Sequence, residues 1–505
     1  MTNFIDKAIA FVAPQWGIKR AASRVRLEAF ERAYGGANKG RRTDGWRTAG
    51  TSADTELALS GALLRERSRD LERNNKHVAK AATVHADNLV GEGITPRANT
   101  GDADLNKKID ELFDEWSENC DPGGQLSYHG MQHLAAREMV VAGEMLGRQR
   151  IRRMSDGLKV PLQIQMLEPD HIDDARQSPS ASRTVVNGIE FDGIGRRTGY
   201  WMFPRHPGNR SQWRVGDHES RRIPADQIVH LYEAQRTQCR GAPWTAPIIL
   251  DVKDLQDYDT AELWRKKLEA CLVGVIIPGE DDGLGDPTQS DPSHLGVAVK
   301  DVKGKDVSKM EPGVFAVAHG GKDVKFNSPA VTLSQESFNR LSTRGIAAGI
   351  RCPHVLMTGD TSQMNYSTFR ADMLAYKKFI RSIQKHFILK NWCRPTYGWF
   401  LSIAQFMGEI PPGPVPVIWT FPRFEHVNPF DDMRADLIAV RSGFKSLAQV
   451  IAEHGGIPEQ VLGQIKESNA KLDEMELVLD SDPRNVTLQG QLQFTDQGEA
   501  NADSA

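Results

Sequence analysis

Cysteine is scarce, with five in 505 residues. Cys120, Cys239, Cys271, Cys352 and Cys393 are odd in number, far apart and never spaced as CxxC. That excludes a disulfide framework or a paired-cysteine zinc site, and it fits a reducing, cytosolic origin. No run of about 18 apolar residues occurs, so no stretch reads as a membrane-spanning helix. The first twenty residues, MTNFIDKAIAFVAPQWGIKR, carry Asp6 and Lys7 where a secretory signal needs an uncharged segment. An excess of either charge is also missing. Lys and Arg total 63 against 66 Asp and Glu, a net charge of −3, which excludes a simple basic wrapper of nucleic acid.

Catalytic signatures are as sparse. AHGGKD (318–323) has the Gly-Lys of a phosphate loop but lacks the first glycine, and Asp323 stands where Ser or Thr should. There is no GxSxG and no HExxH. The most metal-like cluster is LEPDHIDD, with Glu168, Asp170, His171, Asp173 and Asp174, since hard cations take grouped carboxylates. The enzymatic alternative is therefore a metal-dependent hydrolase built on 168–174 with His171 or His230. Against it, Pro and Asp directly after a strand ordinarily make a turn. No cofactor is called for.

What is present is an ordinary globular composition, 39% hydrophobic and 26% charged, with length for two to four domains. Residues 1–50 hold ten Lys/Arg against four Asp/Glu, and residues 471–505 hold two against eight. These read as a basic arm and an acidic, disordered tail. Helical patterns cover 55–90, 104–118 and about 126–142. The period then falls to two, giving strands at 145–152, 161–168, 188–192, 197–203 and 227–232, with Asn187-Gly188 as a turn. Helical composition returns at 246–272 with charges on several sides, a pattern better suited to packing between like neighbours than to burial within one chain. Residues 279–296 are low-complexity loop, followed by short strands at 297–302, 313–318 and 323–327. Helices are expected again at about 430–454 and 458–477, after the PPGPVP linker and the strand-like VIWTF (417–421).

The stretch 333–390 organises the chain: a helix, a polar break at 351–367, and a longer helix. Pro353 stops the first helix near Ile350. Gly359-Asp360 is a turn signal, and Ser367 or Thr368 is expected to cap the second helix. There Phe369, Met373, Tyr376, Ile380, Ile383 and Phe387 fall on one face, with Arg370, Lys377, Lys378, Arg381 and Lys385 as a basic stripe beside it.

Several blocks, in this order, give the chain a resemblance. They are SRDLERNNKHVAKAATVHADNLVGEGITP (68–96), PLQIQMLEPDHID (161–173), GIEFDGIGRRTGYWMFPRHPG (188–208) and IPADQIVHLY (223–232). RGAPWTAPIILDVKDLQDYDTAEL (240–263) and GIRCPHVLMTGDTSQMNYSTFRADML (349–374) follow. The chain resembles the lambda-like portal (head–tail connector) proteins of tailed bacteriophages. It departs from them at Asn428-Pro-Phe-Asp-Asp-Met433, where a DPxKEA-like stretch is common, and at Cys352-Pro353, where Val-Pro is common.

The resemblance implies an α+β portal-type fold: a β-rich wing, a two-helix stem, a small α/β clip, a long wing helix and a helical crown. The implied divisions are a basic arm at 1–54, wing at 55–245, first stem helix at 246–272, clip at 273–332 and second stem helix at 333–350. A tunnel loop at 351–367, wing helix and return at 368–428, crown at 429–478 and tail at 479–505 complete it. The resemblance further implies a non-enzymatic homo-oligomeric ring, typically of twelve subunits, at one capsid vertex of the virion, assembled in the host cytoplasm. Its partners would be double-stranded DNA in the channel, the terminase large subunit, a head–tail adaptor, and the major capsid and scaffolding proteins, with no membrane. The expected DNA-facing residues are Thr361, Ser362, Gln363, Met364 and Asn365 at the loop tip, with Lys266 and Lys267 as channel-lining stem residues.

Overall fold

The computed structural model describes residues 48–178, 183–209, 217–276, 335–424, 429–454 and 458–477 with few gaps, plus short strands between 299 and 325 and some isolated positions. Residues 1–52 form one unit and 53–505 another, and the following concerns the second. The phosphate-loop-like motif 318–323, the low-complexity loop 279–296 and most of the acidic tail lie outside the described residues.

The pattern over 55–90 is two helices, α1 (Ala53–Asn74) and α2 (Lys76–Leu89). Asn75 divides them: its backbone is extended, and its side chain accepts from the amides of His77 and Val78. After β1 (Thr95–Ala98) come α3 (Ala103–Asn119) and α4 (Tyr128–Val141), close to their expected positions. Trp116, Phe113 and Tyr128 from these helices cluster with Tyr397 and Phe400, ring centres 5.3–5.7 Å apart. Such aromatic packing ties the early helices to a segment some 280 residues later.

Strands β2 (Glu144–Ile151), β3 (Leu162–Leu167), β4 (Arg183–Val186), β5 (Ile189–Asp192), β6 (Arg197–Met202), β7 (Arg221–Pro224) and β8 (Ile228–Tyr232) form two sheets. Their orders are β3-β2-β8 and β4-β5-β6-β7, antiparallel throughout. Asn187 and Gly188 (φ 49° and 77°) make the two-residue β4–β5 hairpin, as the Asn-Gly pair dictates. The short β1, β4 and β7 have too few alternating residues to stand out in the sequence.

Next come α5 (Ile249–Cys271) and a small stranded region: β9 (Leu272–Ile276), β10 (Val299–Lys300), β11 (Asp306–Val307), β12 (Val314–Val317) and β13 (Val324–Lys325). β9 pairs with β12 in parallel and with β13 antiparallel. Helix α6 (Gln335–Gly349), the single turn α7 (His354–Thr358) and α8 (Tyr366–Ile383) follow. The expected break at 351–367 thus contains a helical turn.

Helix α8 does not stop near 390. It runs into a π-helical segment, Gln384–Cys393, and on through α9 (Arg394–Phe406). β14 (Val417–Thr420) pairs back onto β1. The last helices are α10 (Pro429–Arg441), α11 (Leu447–Glu453) and α12 (Pro458–Glu474). The single helix expected over 430–454 is divided by Gly443 (φ 75°) and by a capping box at Ser446.

Candidate functional site

Helices α5 and α6 run antiparallel, joined by contacts at three levels. Lys266 donates to Gln335 at 2.5 Å, Asn339 donates to Asp259 at 2.9 Å, and the Tyr258 and Phe338 rings lie 4.7 Å apart. At the far end, a Cβ on Gly349 would sit 2.2 Å from Ile248 Cγ2, so only glycine permits this approach. The pair leaves Leu250, Leu263, Trp264, Phe338 and Leu341 exposed.

Below α6 the chain turns at Arg351, whose φ of 62° is left-handed. The Arg351 guanidinium donates to both carboxylate oxygens of Glu233, at 2.8 and 2.7 Å, and lies 4.1 Å from the centre of the Trp244 ring. Ion pairing and cation–π contact together fix a backbone conformation that arginine otherwise disfavours. Beside it, buried His85 bonds through Nε2 to the Ile350 carbonyl at 3.0 Å and through Nδ1 to the Tyr376 hydroxyl at 3.0 Å. The carbonyl can only accept, so Nε2 carries the proton and Nδ1 accepts. Burial pushes His85 down to about 4, against the Ile350 hydrogen bond. One neutral histidine therefore links α2, the end of α6 and the middle of α8.

The loop beyond is held by short-range bonds. Gly359 (φ 75°) ends α7. Asp360 accepts from the Ser362 hydroxyl at 2.5 Å and the Ser362 amide at 3.0 Å, which holds its carboxyl below the usual range. Arg340 on α6 reaches Asp360 at 3.2 Å and Ser362 Oγ at 3.2 Å. Asn365, rather than Ser367 or Thr368, caps α8: its side chain accepts from the Thr368 amide and Thr368 Oγ1 accepts from the Asn365 amide. Between these anchors Thr361, Ser362, Gln363 and Asn365 are exposed and Met364 is half-buried. The five expected tip residues therefore share one exposed, uncharged turn.

Helix α8 buries Met373, Tyr376, Ile380 and Ile383, with Phe369 and Phe387 packed beside them. The neighbouring stripe is not uniformly solvated. Arg370 pairs with Asp432 at 3.0 Å, and Arg381 lies 5.0 Å from the Phe424 ring. Lys266 and Lys267 are exposed on α5, Lys267 5.1 Å from the Trp264 ring.

The acidic cluster is assembled differently from the hydrolase expectation. Arg69 on α1 contacts Glu168 at 2.8 Å and Asp170 at 2.7 Å, placing a guanidinium where a cation would sit. Among the described residues the histidine nearest these carboxylates is His206, at 3.6 and 3.9 Å. His171 is bonded to the Phe203 carbonyl, and His230 belongs to a separate buried network. In that network fully buried Glu144 is bonded by Arg240 at 2.6 Å, His230 at 2.9 Å and the Gly241 amide at 2.8 Å, with Arg65 at 3.7 Å. Arg240 and Arg65 also pair with Asp174. Sequence reasoning missed this network because its bonded partners are 66 to 109 residues apart and carry no common spacing.

The fold is mixed helix and sheet, with an exposed turn mounted on an antiparallel helix pair. The family model "Phage portal protein, lambda family" matches residues 39–384, and the chain belongs to that family. Similar proteins include the "Probable portal protein" of Halomonas phage phiHAP-1, 25% identical over 459 residues, covering 85% of each chain. The "Portal protein" of Escherichia phage N15 is 24% identical over 393 residues, covering 69% of this chain and 72% of that one. Among solved structures, the neck of a native GTA particle with C12 symmetry matches at a TM-score of 0.43 and 14% identity, covering 79% of this chain and 99% of that one.

Proposed function

We propose that twelve copies close into a ring at a unique capsid vertex. The ring conducts double-stranded DNA during packaging and ejection. In this reading α5 and α6 are the stem, the mounted turn at 361–365 is the tunnel loop, and the two antiparallel sheets lie in the wing. Helices α10–α12 form the crown, and residues 273–332 form a clip that docks first the terminase large subunit and then a head–tail adaptor. Major capsid and scaffolding proteins surround the ring, and assembly takes place in the host cytoplasm.

The observation that carries this reading is the loop itself: an exposed turn, rigidly mounted from behind and uncharged at its tip. A channel wall must touch DNA without gripping it, because each neutralised phosphate adds affinity and salt dependence that would stall translocation. The nearest charges, Asp360 and Arg340, are paired with each other. The exposed Leu250, Leu263, Trp264, Phe338 and Leu341 suit α5 and α6 to packing against copies of themselves, and a heterologous contact of this kind closes into a ring when the rotation per subunit divides the circle. Lys266 and Lys267, repeated around such a ring, form a positive belt in the stem.

Negative-stain imaging of the purified protein tests the ring; monomers and small dimers at high concentration would defeat it. Deleting residues 361–365 tests the loop. Rings are expected to form as in the parent, while DNA packaging or retention falls. Loss of the ring on this deletion would mean that the segment is packing and not a channel contact.

A further inference from the structure

Residues 373–408 contain no Asp or Glu, yet they include Lys377, Lys378, Arg381, Lys385, Lys390 and Arg394. In a chain of net charge −3 this is a concentrated departure. Lys378, Arg381, Lys385, Lys390 and Arg394 are separated by three, four, five and four residues. Steps of three and four keep side chains on one face of an α-helix, and a step of five does not. The step of five, however, falls wholly inside the π-helical segment Gln384–Cys393, where bonding is i to i+5 and a turn takes more residues. The Arg394 amide donates to the Leu389 carbonyl in that pattern. The wider turn keeps Lys385 and Lys390 in line, so the basic groups form one continuous row.

The inner side is kept in phase by the same device. Ile380, Ile383, Ile388, Leu389, Trp392 and Cys393 are all buried. Lys378, Lys385, Lys390 and Arg394 are exposed, and among the described residues none of the four takes part in an ion pair. Arg381 is half-buried over Phe421 and Phe424, and so belongs partly to the packing.

We propose that this row is a second DNA-binding surface, which holds duplex phosphates where the tunnel loop lets them slide. The sixteen residue steps from Lys378 to Arg394 span at most about 24 Å, a length over which duplex DNA presents about fourteen phosphates. A rigid row of four free cations along one helix face matches a continuously charged rod. It matches residues 471–505 less well, since their eight acidic residues are irregularly spaced among 35. The proposal goes beyond the channel reading, because the row shares no residue with the loop tip or with Lys266 and Lys267.

The test uses full-length protein carrying Lys378→Gln, Lys385→Gln, Lys390→Gln and Arg394→Gln together. All four sites are exposed and glutamine is a good helix former, so folding is preserved; imaging and circular dichroism verify this. Binding of a fluorescent 30-base-pair duplex is followed by anisotropy across a salt series. The expected result is at least a tenfold loss of affinity at about 0.1 M salt and a salt slope shallower by about three to four, near 0.9 per lost phosphate contact. Lys266→Gln with Lys267→Gln serves as the channel control and should leave most of that slope in place. An unchanged affinity and slope in the quadruple variant overturns the proposal, whether or not rings form. A synthetic peptide of residues 471–505 is the second probe. If it binds the parent and not the variant while duplex binding is unchanged, the row is a seat for the acidic tail and the DNA reading is wrong.

Discussion

Two buried histidines make stability fall as acid is added, well above the pH at which carboxylates titrate. His85 is protonated on Nε2, which donates to Ile350, and its Nδ1 accepts from Tyr376. At His230 the Arg197 guanidinium donates to Nδ1 at 3.2 Å, so Nδ1 is the acceptor, and Nε2 donates to Glu144. Each ring is thus neutral, with both nitrogens committed. Burial drives both down to about 4 from the ordinary 6.5; at His230 this outweighs the pull of Glu144, and Arg197 reinforces it. Between these values the unfolded chain binds protons that the folded chain does not, so stability rises with pH across the window. The contribution is complete above about 6.5 and is lost as pH falls towards 4. Each histidine contributes about 3 kcal/mol over that range, and the pair about 6 kcal/mol as an upper figure. Urea denaturation at pH 7.5, 6.5, 5.5 and 4.5, at one fixed protein concentration, should show midpoints falling steadily below pH 6.5. The His85→Asn, His230→Gln double variant starts lower and should fall less steeply from 6.5 to 4.5, the remaining slope coming from groups such as His77, His171 and His354, which burial also lowers. A flat parent, or an equal fall in parent and variant, would refute the assignment of neutral histidines.

Below the histidine window Glu144 adds to the same trend. Burial alone would raise it, but Arg240 and His230 overcome this and hold it well below the usual carboxylate range. Glu144→Ala leaves Arg240 and Arg65 buried beside no carboxylate at that position and is expected to cost about 3–5 kcal/mol at neutral pH, measured by the same denaturation. Gly349→Ala forces a methyl group to within 2.2 Å of Ile248 Cγ2. Ile248 is β-branched and cannot swing clear, so the clash outweighs alanine's better helix propensity. We expect a loss of about 1–3 kcal/mol. In an Ile248→Ala background the same substitution should cost little, and an unchanged cost there would show that the two helices do not meet as described.

The sequence's reach was set by the kind of interaction involved. Helices α3, α4 and α6 and the long strands were legible because one period runs through each and a capping or turn residue marks its ends. The Asn-Gly hairpin was legible because that pair permits little else. The loop tip was legible as a place, since the Gly359-Asp360 turn before it and the expected cap at Ser367 or Thr368 after it bracket it, but its mounting was not. Arg351 meets Glu233, His85 meets Ile350, and Arg340 meets Asp360, and no local pattern connects those partners. The same holds for the acidic cluster. LEPDHIDD looks like a cation site when read alone, and becomes an ion-pair surface only when Arg69 and Arg65 arrive from α1, about 100 residues earlier.

The end of α8 is the most informative miss. A search at 3.6 residues per turn follows Phe369, Met373, Tyr376, Ile380, Ile383 and Phe387, then finds Ile388, Leu389, Trp392 and Cys393 out of step, and stops. The apolar residues had not lost their face; the helix had changed its pitch beneath them. A pure α-helix through 384–393 would rotate Lys390 and Arg394 towards the core and Trp392 away from it. The π turns prevent both at once. The same ten residues that hid the helix from a periodicity argument keep its buried side buried and its charged side continuous. That shared requirement gives a reason for an otherwise rare backbone form to be placed here, and it is why the charge of that row, rather than its fold, is the property to test.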